Sequence, residues 1–220
     1  AATRGRRSHR LIPSRFPPIA LFDAALTPEE AAAAFALEAA TNERLSEVRG
    51  RLAALPLAER ASGPGGGYAM AAFLHGAAGR FNDAALGAWY AALERETAIG
   101  EVAFHLRRRL AASAAGFPAV MDLRELVSRP RARLRDLGRL PPRRAAPLLR
   151  PDDYAASQAY GRGAREAGID GLLWPSVRRR GGTCLVLFKP RLCLPVTQGD
   201  HYRFAWDASG RLQAHRLTAV

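Results

Sequence analysis

Four polar side chains stand at uneven intervals within stretches that are otherwise apolar or turn-forming: Arg80, Tyr90, Glu101 and Ser176. A guanidinium is a planar fork suited to a diphosphate or a ribose hydroxyl. A tyrosine ring can stack on a flat base. A fixed carboxylate stabilises the positive charge that builds on a sugar carbon as an N-glycosidic bond breaks. A serine hydroxyl can orient the bound molecule through a hydrogen bond. Asn82 lies two residues beyond Arg80 in the same turn and joins the set as a substrate-binding candidate. These are the groups needed to hold an anionic dinucleotide and open its glycosidic bond.

Each residue also has a plainer reading. A turn arginine is ordinarily surface charge, a strand tyrosine packing, and a helical glutamate a solvated group. Glu101, however, sits among Ala98, Ile99 and Val102, with Gly100 beside it to allow close approach. Ser176 lacks the Gly-x-Ser-x-Gly surroundings of a hydrolase nucleophile. His75, His105, His201 and His215 are scattered; Glu101 and His105 share a helix face at i,i+4, too little to predict a metal site. Asp152 and Asp153 read as helix-start residues, and Arg178, Arg179 and Arg180 as a solvated hairpin tip.

The elements that must position these groups are legible in part. Three prolines within residues 9–26 predict an extended path laid over the core rather than a central strand. Thr27, Pro28, Glu29 and Glu30 form a helix start with capping-box spacing, and the helix is expected to reach residue 55, before Pro56. The glycine-rich run at 61–67 has neither a preceding strand nor a Lys-Ser/Thr ending, so it reads as a connection rather than a phosphate loop. Residues 68–74 fit a strand or a short helix. Then come a strand at 88–92 bearing Tyr90, a helix from about 94 to 116 bearing Glu101, and a strand at 119–127. A proline- and arginine-rich loop at 128–150 holds a short strand at 133–137. A helix closes at Gly168, strands follow at 171–174 and 183–188, and a last hairpin pairs 201–206 with 211–217. Helices and strands mix without regular βαβ alternation, which predicts an α+β fold.

Composition bounds the rest. The chain has 220 residues, 48% of them apolar and 24% charged, the balance of a globular protein with a real core. No apolar run approaches the ~20 residues of a membrane span, and the basic start lacks an apolar signal core, so a cytoplasmic location is expected. Cys184 and Cys193 read as buried thiols. The net charge of +13 comes almost wholly from arginine, Lys189 being the one lysine. It favours an anionic partner, but no zinc-finger, zipper or aromatic-basic pattern selects nucleic acid, and direct nucleic-acid binding is not expected.

At these residues the sequence resembles the RES domain family, named for its Arg, Glu and Ser. The matching pieces are HRLIPSRFPPIALF, GRFNDAALGAWYAALERETAIGEVAFH, YAASQAYGRGAREAG, and DGLLWPSVR with GGTCLVLFKP. Arg80, Tyr90, Glu101 and Ser176 fall on the family's Arg, Tyr, Glu and Ser, and Arg10 on an early arginine of many members, although a long insertion follows it. The resemblance implies a compact mixed sheet with flanking helices, similar to the diphtheria-toxin-like ADP-ribosyltransferases, here with a helical N-terminal extension. It implies residues 1–60 as that extension and 61–220 as the catalytic domain. It also implies NAD+ as substrate, no metal, and a toxin silenced by an Xre-type antitoxin, with a homodimer inside the larger complex as one expected form. The expected reaction is cleavage of NAD+ by a glycohydrolase or phosphorylase; the alternative is transfer of ADP-ribose to a protein.

Overall fold

An eight-stranded sheet organises the molecule, described by a computed structural model over residues 5–16, 18–24, 26–41 and 48–217. In chain order the strands are β1 (Ser8–Pro13), β2 (Trp89–Ala92), β3 (Ala119–Ser128), β4 (Leu134–Asp136), β5 (Gly171–Pro175), β6 (Thr183–Leu187), β7 (Val196–Trp206) and β8 (Leu212–Leu217). Their order across the sheet is β4-β5-β6-β2-β1-β3-β7-β8, with β4 and β5 parallel and every other pair antiparallel. Among the described residues the helices longer than four residues are α1 (Pro28–Thr41), α2 (Arg49–Ala53), α3 (Gly66–Leu74), α4 (Arg95–Ala111) and α6 (Ala155–Glu166); α5 (Pro142–Ala145) is a single turn. The mixed α+β architecture agrees with the sequence reading.

Alternation along the strands assigns the two faces. On β6, Leu185 and Leu187 join Trp89 of β2 in a core with Phe22, Phe35 and Phe73, contributed by the segments around α1–α3. Cys184 and Val186 point the other way, into a cluster with Phe81, Leu172, Trp174 and Ala164 of α6. Farther along that second face, Leu11, Leu123, Phe204 and Trp206 pack against Ala98 and Leu106 of α4. Phe22, Phe35 and Phe204 are almost wholly inaccessible, and such side chains stabilise the fold by about 1.5–3 kcal/mol each. The sheet is therefore covered on both sides, with α4 and α6 side by side over one face.

The largest departure from expectation is β1. It lies inside the sheet between β2 and β3, pairing with β3 over six residues. The prolines allow this because Pro13 ends the strand and Pro18 follows it, so neither breaks the interior ladder. The capping box of α1 is as expected: Glu30 N donates to Thr27 Oγ1 at 3.2 Å and Thr27 N to Glu30 Oε2 at 2.8 Å. The helix is not described as one piece to residue 55, since 42–47 lie outside the described residues and α2 begins at Arg49. Residues 68–74 are helical, and α3 already begins within the glycine run at Gly66. A Cβ at Gly66 would meet Phe22 O at 2.1 Å, and one at Gly67 would meet Ile19 O at 2.5 Å, while Asp23 Oδ1 accepts from Gly67 N. The glycines allow helix-to-backbone contact; they do not cradle a ligand.

Candidate active site

Glu101 stands in the second turn of α4, on a stripe with Phe104, His105 and Arg108 at the i, i+3, i+4, i+7 spacing of one helix face. Thr97, Ala98 and Leu106 are the buried side of the same helix. The start of α4 is tied to the sheet by Glu94, whose Oε2 accepts from Thr183 N at 2.8 Å and Thr97 Oγ1 at 3.0 Å. Glu101 is thereby held over the end of β6.

One oxygen of Glu101 takes two donors. Ser176 Oγ donates to Oε1 at 2.6 Å, and Cys184 Sγ donates to it at 3.3 Å. Among the described residues Oε2 has no hydrogen-bond donor. The Ser176 hydroxyl in turn accepts from Arg178 N at 3.1 Å and Arg179 N at 3.0 Å. Its one donor and two acceptor positions are thus filled by the protein, with Glu101 as its acceptor. Burial and the neighbouring Glu101 carboxylate push the Cys184 thiol far above its usual range, so it stays protonated and keeps its S–H for that bond.

Strand register brings Tyr90 to the same place. Tyr90 lies opposite Val186, and Cys184 opposite both Ala92 and Trp174. Tyr90 and Cys184 are therefore diagonal neighbours on one face, about 7–8 Å apart. The Tyr90 hydroxyl donates to Asn82 Oδ1 and accepts from Phe81 N, both at 2.8 Å. Its ring stands edge-on to Trp174, with centroids 6.3 Å apart. Burial pushes the phenol's pKa upward. Asn82 is itself committed to its turn, with Nδ2 donating to Ala77 O, Asp83 O and Leu86 O.

Two arginines differ from their expected roles. Arg80 is buried; its NH1 donates to Leu148 O at 3.2 Å and Arg150 O at 2.7 Å, and its guanidinium lies over the Tyr154 ring at 4.6 Å. It clamps residues 148–154 against the Tyr90 side of the molecule. Arg10 points to the opposite face of the sheet from Glu101, over Trp89 at 5.1 Å, and donates to the Tyr90 carbonyl at 3.0 Å. Burial lowers its pKa to about 10, still charged at neutral pH. Arg10 supports the strand of Tyr90 from behind, because alternation along β1 puts His9 and Leu11, not Arg10, on the Glu101 side.

Arg178 is the residue that the sequence reading set aside. Only 13% of its side chain is exposed, its guanidinium lies 3.4 Å from the centre of the Phe104 ring, and its NH2 donates to Pro151 O at 2.6 Å. Nothing in the run Arg178-Arg179-Arg180 marks its first member for burial; that follows from Ser176 capping the turn and Phe104 reaching it from α4. His105, one position on, has its pKa lowered, chiefly by burial and against the pull of Glu101. Among the described residues no three His, Cys, Asp or Glu side chains converge as metal ligands.

α4, the turn after β5 and the 150–154 segment thus meet around Glu101 and Arg178, with Tyr90 a diagonal neighbour of Cys184 on the same sheet face. An uncharacterized protein of Sinorhizobium fredii (strain NBRC 101917 / NGR234), y4oC, is 25% identical over 203 residues, covering 91% of this chain and 83% of its own length. A chain of the crystal structure of the M. tuberculosis MbcT–MbcA toxin–antitoxin complex superposes with a TM-score of 0.40 at 21% identity, over 64% of this chain and 72% of that one. Residues 57–207 match the RES domain, well over half of the chain, and the protein belongs to the RES domain family.

Proposed function

We propose that this protein is the toxin of a toxin–antitoxin pair and that it cleaves NAD+ between nicotinamide and ribose. Membership of the RES family, whose toxins act on NAD+, supports the substrate. The observation that carries the chemistry is the one-sided bonding of Glu101: two donors fix Oε1 and leave Oε2 to face a ligand. As the ribose–nitrogen bond breaks, its electron pair leaves with nicotinamide and positive charge develops on the ribose carbon and ring oxygen. Oε2 stabilises that charge from a fixed position. Water or inorganic phosphate then attacks the carbon and loses its proton, giving ADP-ribose or its phosphate.

The other groups divide by what remains available to them. The Tyr90 ring offers a face for nicotinamide. Arg178, stacked on Phe104 and held by Pro151 O with Asp152 at 3.7 Å, supplies positive charge for the diphosphate once Asp152, which is exposed, gives way to it. Arg80, Asn82, Ser176 and Arg10 hold these in place. An antitoxin that covers the cleft would silence the protein.

NAD+ labelled on the adenine side tests the reading. The account expects free nicotinamide together with labelled ADP-ribose or its phosphate, with no label on protein. Label retained on a protein band would replace degradation by ADP-ribose transfer, and absence of nicotinamide would overturn both.

A further inference from the structure

The basic charge of this chain is concentrated. Residues 129–150 hold eight arginines and one aspartate, +7 of the total +13 in about a tenth of the length. A uniform preference for arginine would spread the excess along the chain; this does not.

The first part of that segment has a defined shape. β3 and β4 are consecutive in sequence but five strand positions apart in the sheet, joined by only five residues. The six steps from Ser128 to Leu134 span at most about 20–22 Å. Such a short crossing leaves little slack, and residues 129–132 run without helix or turn. An extended chain alternates its side chains, and the burial does so: Pro130, Ala132 and Leu134 are buried, while Arg129, Arg131, Arg133 and Arg135 are exposed. Ala132 and Leu134 anchor in the core beneath α3. At about 3.3 Å per residue the four arginines stand roughly 6.6 Å apart. Among the described residues none of the four is in an ion pair; Arg135 makes one 3.3 Å bond, to the Tyr160 hydroxyl. Arg139, Arg143 and Arg144 continue the exposed charge through α5.

We propose that this row of arginines is a docking surface for an extended, acidic polypeptide segment of a partner protein, one with carboxylates at alternate positions. An extended partner repeats its side chains on one side with the same period as the row, so each carboxylate can meet a guanidinium as a two-bond pair. Single-stranded nucleic acid fits less well, because the residues between the arginines are buried aliphatics and give bases nothing to stack on. Duplex DNA fits less well too, since no helix or ribbon carries the row into a groove. The inference does not depend on the reaction proposed above. The two meet in the chain, however, since this basic segment ends at Leu148 and Arg150, whose carbonyls Arg80 holds.

The test is a binding titration at about 0.1 M ionic strength, where surface charges are screened beyond ~10 Å. The probes are a fluorescent peptide in which Glu alternates with Thr, a peptide of identical composition with its glutamates in one block, and single-stranded and duplex DNA of matched charge. The alternating peptide is expected to bind at least about fivefold more tightly than the block peptide. Arg131→Glu/Arg133→Glu is expected to weaken it tenfold or more, the equivalent of about 1.4 kcal/mol. Arg129→Glu/Arg135→Glu should act in the same direction, and Arg211→Glu, on the exposed β7–β8 turn, should leave it unchanged. All of these positions are exposed, so folding is checked simply by circular dichroism. Equal affinity for the two peptides, indifference to both double variants, or tighter binding of either DNA would overturn the proposal.

Discussion

Two carboxylates on the same face of the sheet, Glu101 and Glu125, are held in opposite ways. Glu125 of β3 is fully buried and saturated: Oε1 meets His9 Nδ1 at 2.6 Å and accepts from Arg95 Nε at 3.0 Å, while Oε2 accepts from Asp200 N at 3.1 Å. Arg95 and Arg216 extend this network to Asp200 at 3.4 and 2.8 Å. Burial by itself would raise the pKa of Glu125, but its hydrogen bonds to His9, Arg95 and the Asp200 amide prevail and hold it at about 2. Glu101 is bonded through one oxygen only. A carboxylate with both oxygens filled ties β1, β3, β7 and α4 together; one with an oxygen left open is available to a ligand. Under the proposed function the difference separates a structural acid from a catalytic one, and exchanging each for its neutral amide is the way to break it.

The largest expected effect is on turnover. Glu101→Gln should reduce nicotinamide release by roughly 10²–10³-fold, the usual cost of removing a preorganised electrostatic group, with little change in thermal stability. Glu125→Gln should do the reverse, destabilising the fold by about 1–2 kcal/mol because His9, Arg95 and the Asp200 amide lose an ionised acceptor, while the fraction still folded retains its activity. Calorimetry and a nicotinamide assay on both variants check this. If Glu125→Gln abolished turnover in fully folded protein, the two acids would not be separable in this way.

Acid titration sharpens the same contrast. The pKa of Glu125 is depressed from 4.5 to about 2, so its stabilisation is complete above pH 4.5 and is lost as the pH falls towards 2. Wild-type stability should fall across that window, and the Glu125→Gln variant should show a flatter limb there, read by denaturant midpoints at stepped pH.

Smaller effects concern the donors to Glu101. Ser176→Ala removes a short bond to the carboxylate and the cap on Arg178 N and Arg179 N. It should lower kcat about tenfold, near 1.4 kcal/mol, and KM less. Cys184→Ala removes a weaker S–H donor and should lower kcat about twofold, with Cys184→Ser close to wild type. Steady-state kinetics of the three variants give the order, and a larger effect from Cys184→Ala than from Ser176→Ala would reverse the assignment of the principal donor.

The sequence was most informative where local rules operate. Thr27 and Glu30 announced their capping box, alternation announced β3 and the terminal hairpin, and the helix bearing Glu101 was placed to within a few residues. β1 was misread because proline was taken as a mark of the whole segment, whereas only the strand's last residue is one. Glu101, Tyr90 and Ser176 could be named from the sequence, but their surroundings depend on hydrogen bonds between residues up to 83 positions apart. No local pattern could show that Ser176 has no hydrogen-bonding capacity left, that Arg80 holds two carbonyls, or that Arg10 faces away. Cys184 and Arg178 became partners of the site only through the register of β5 and β6 and the turn that follows β5.

Nicotinamide release from NAD+ by folded Glu101→Gln protein, measured beside wild type, bears most directly on the central claim. A drop of two orders of magnitude or more at an unchanged melting temperature is the predicted result. Release at the wild-type rate would mean that the open oxygen of Glu101 does no chemistry, and the proposed mechanism would fall with it.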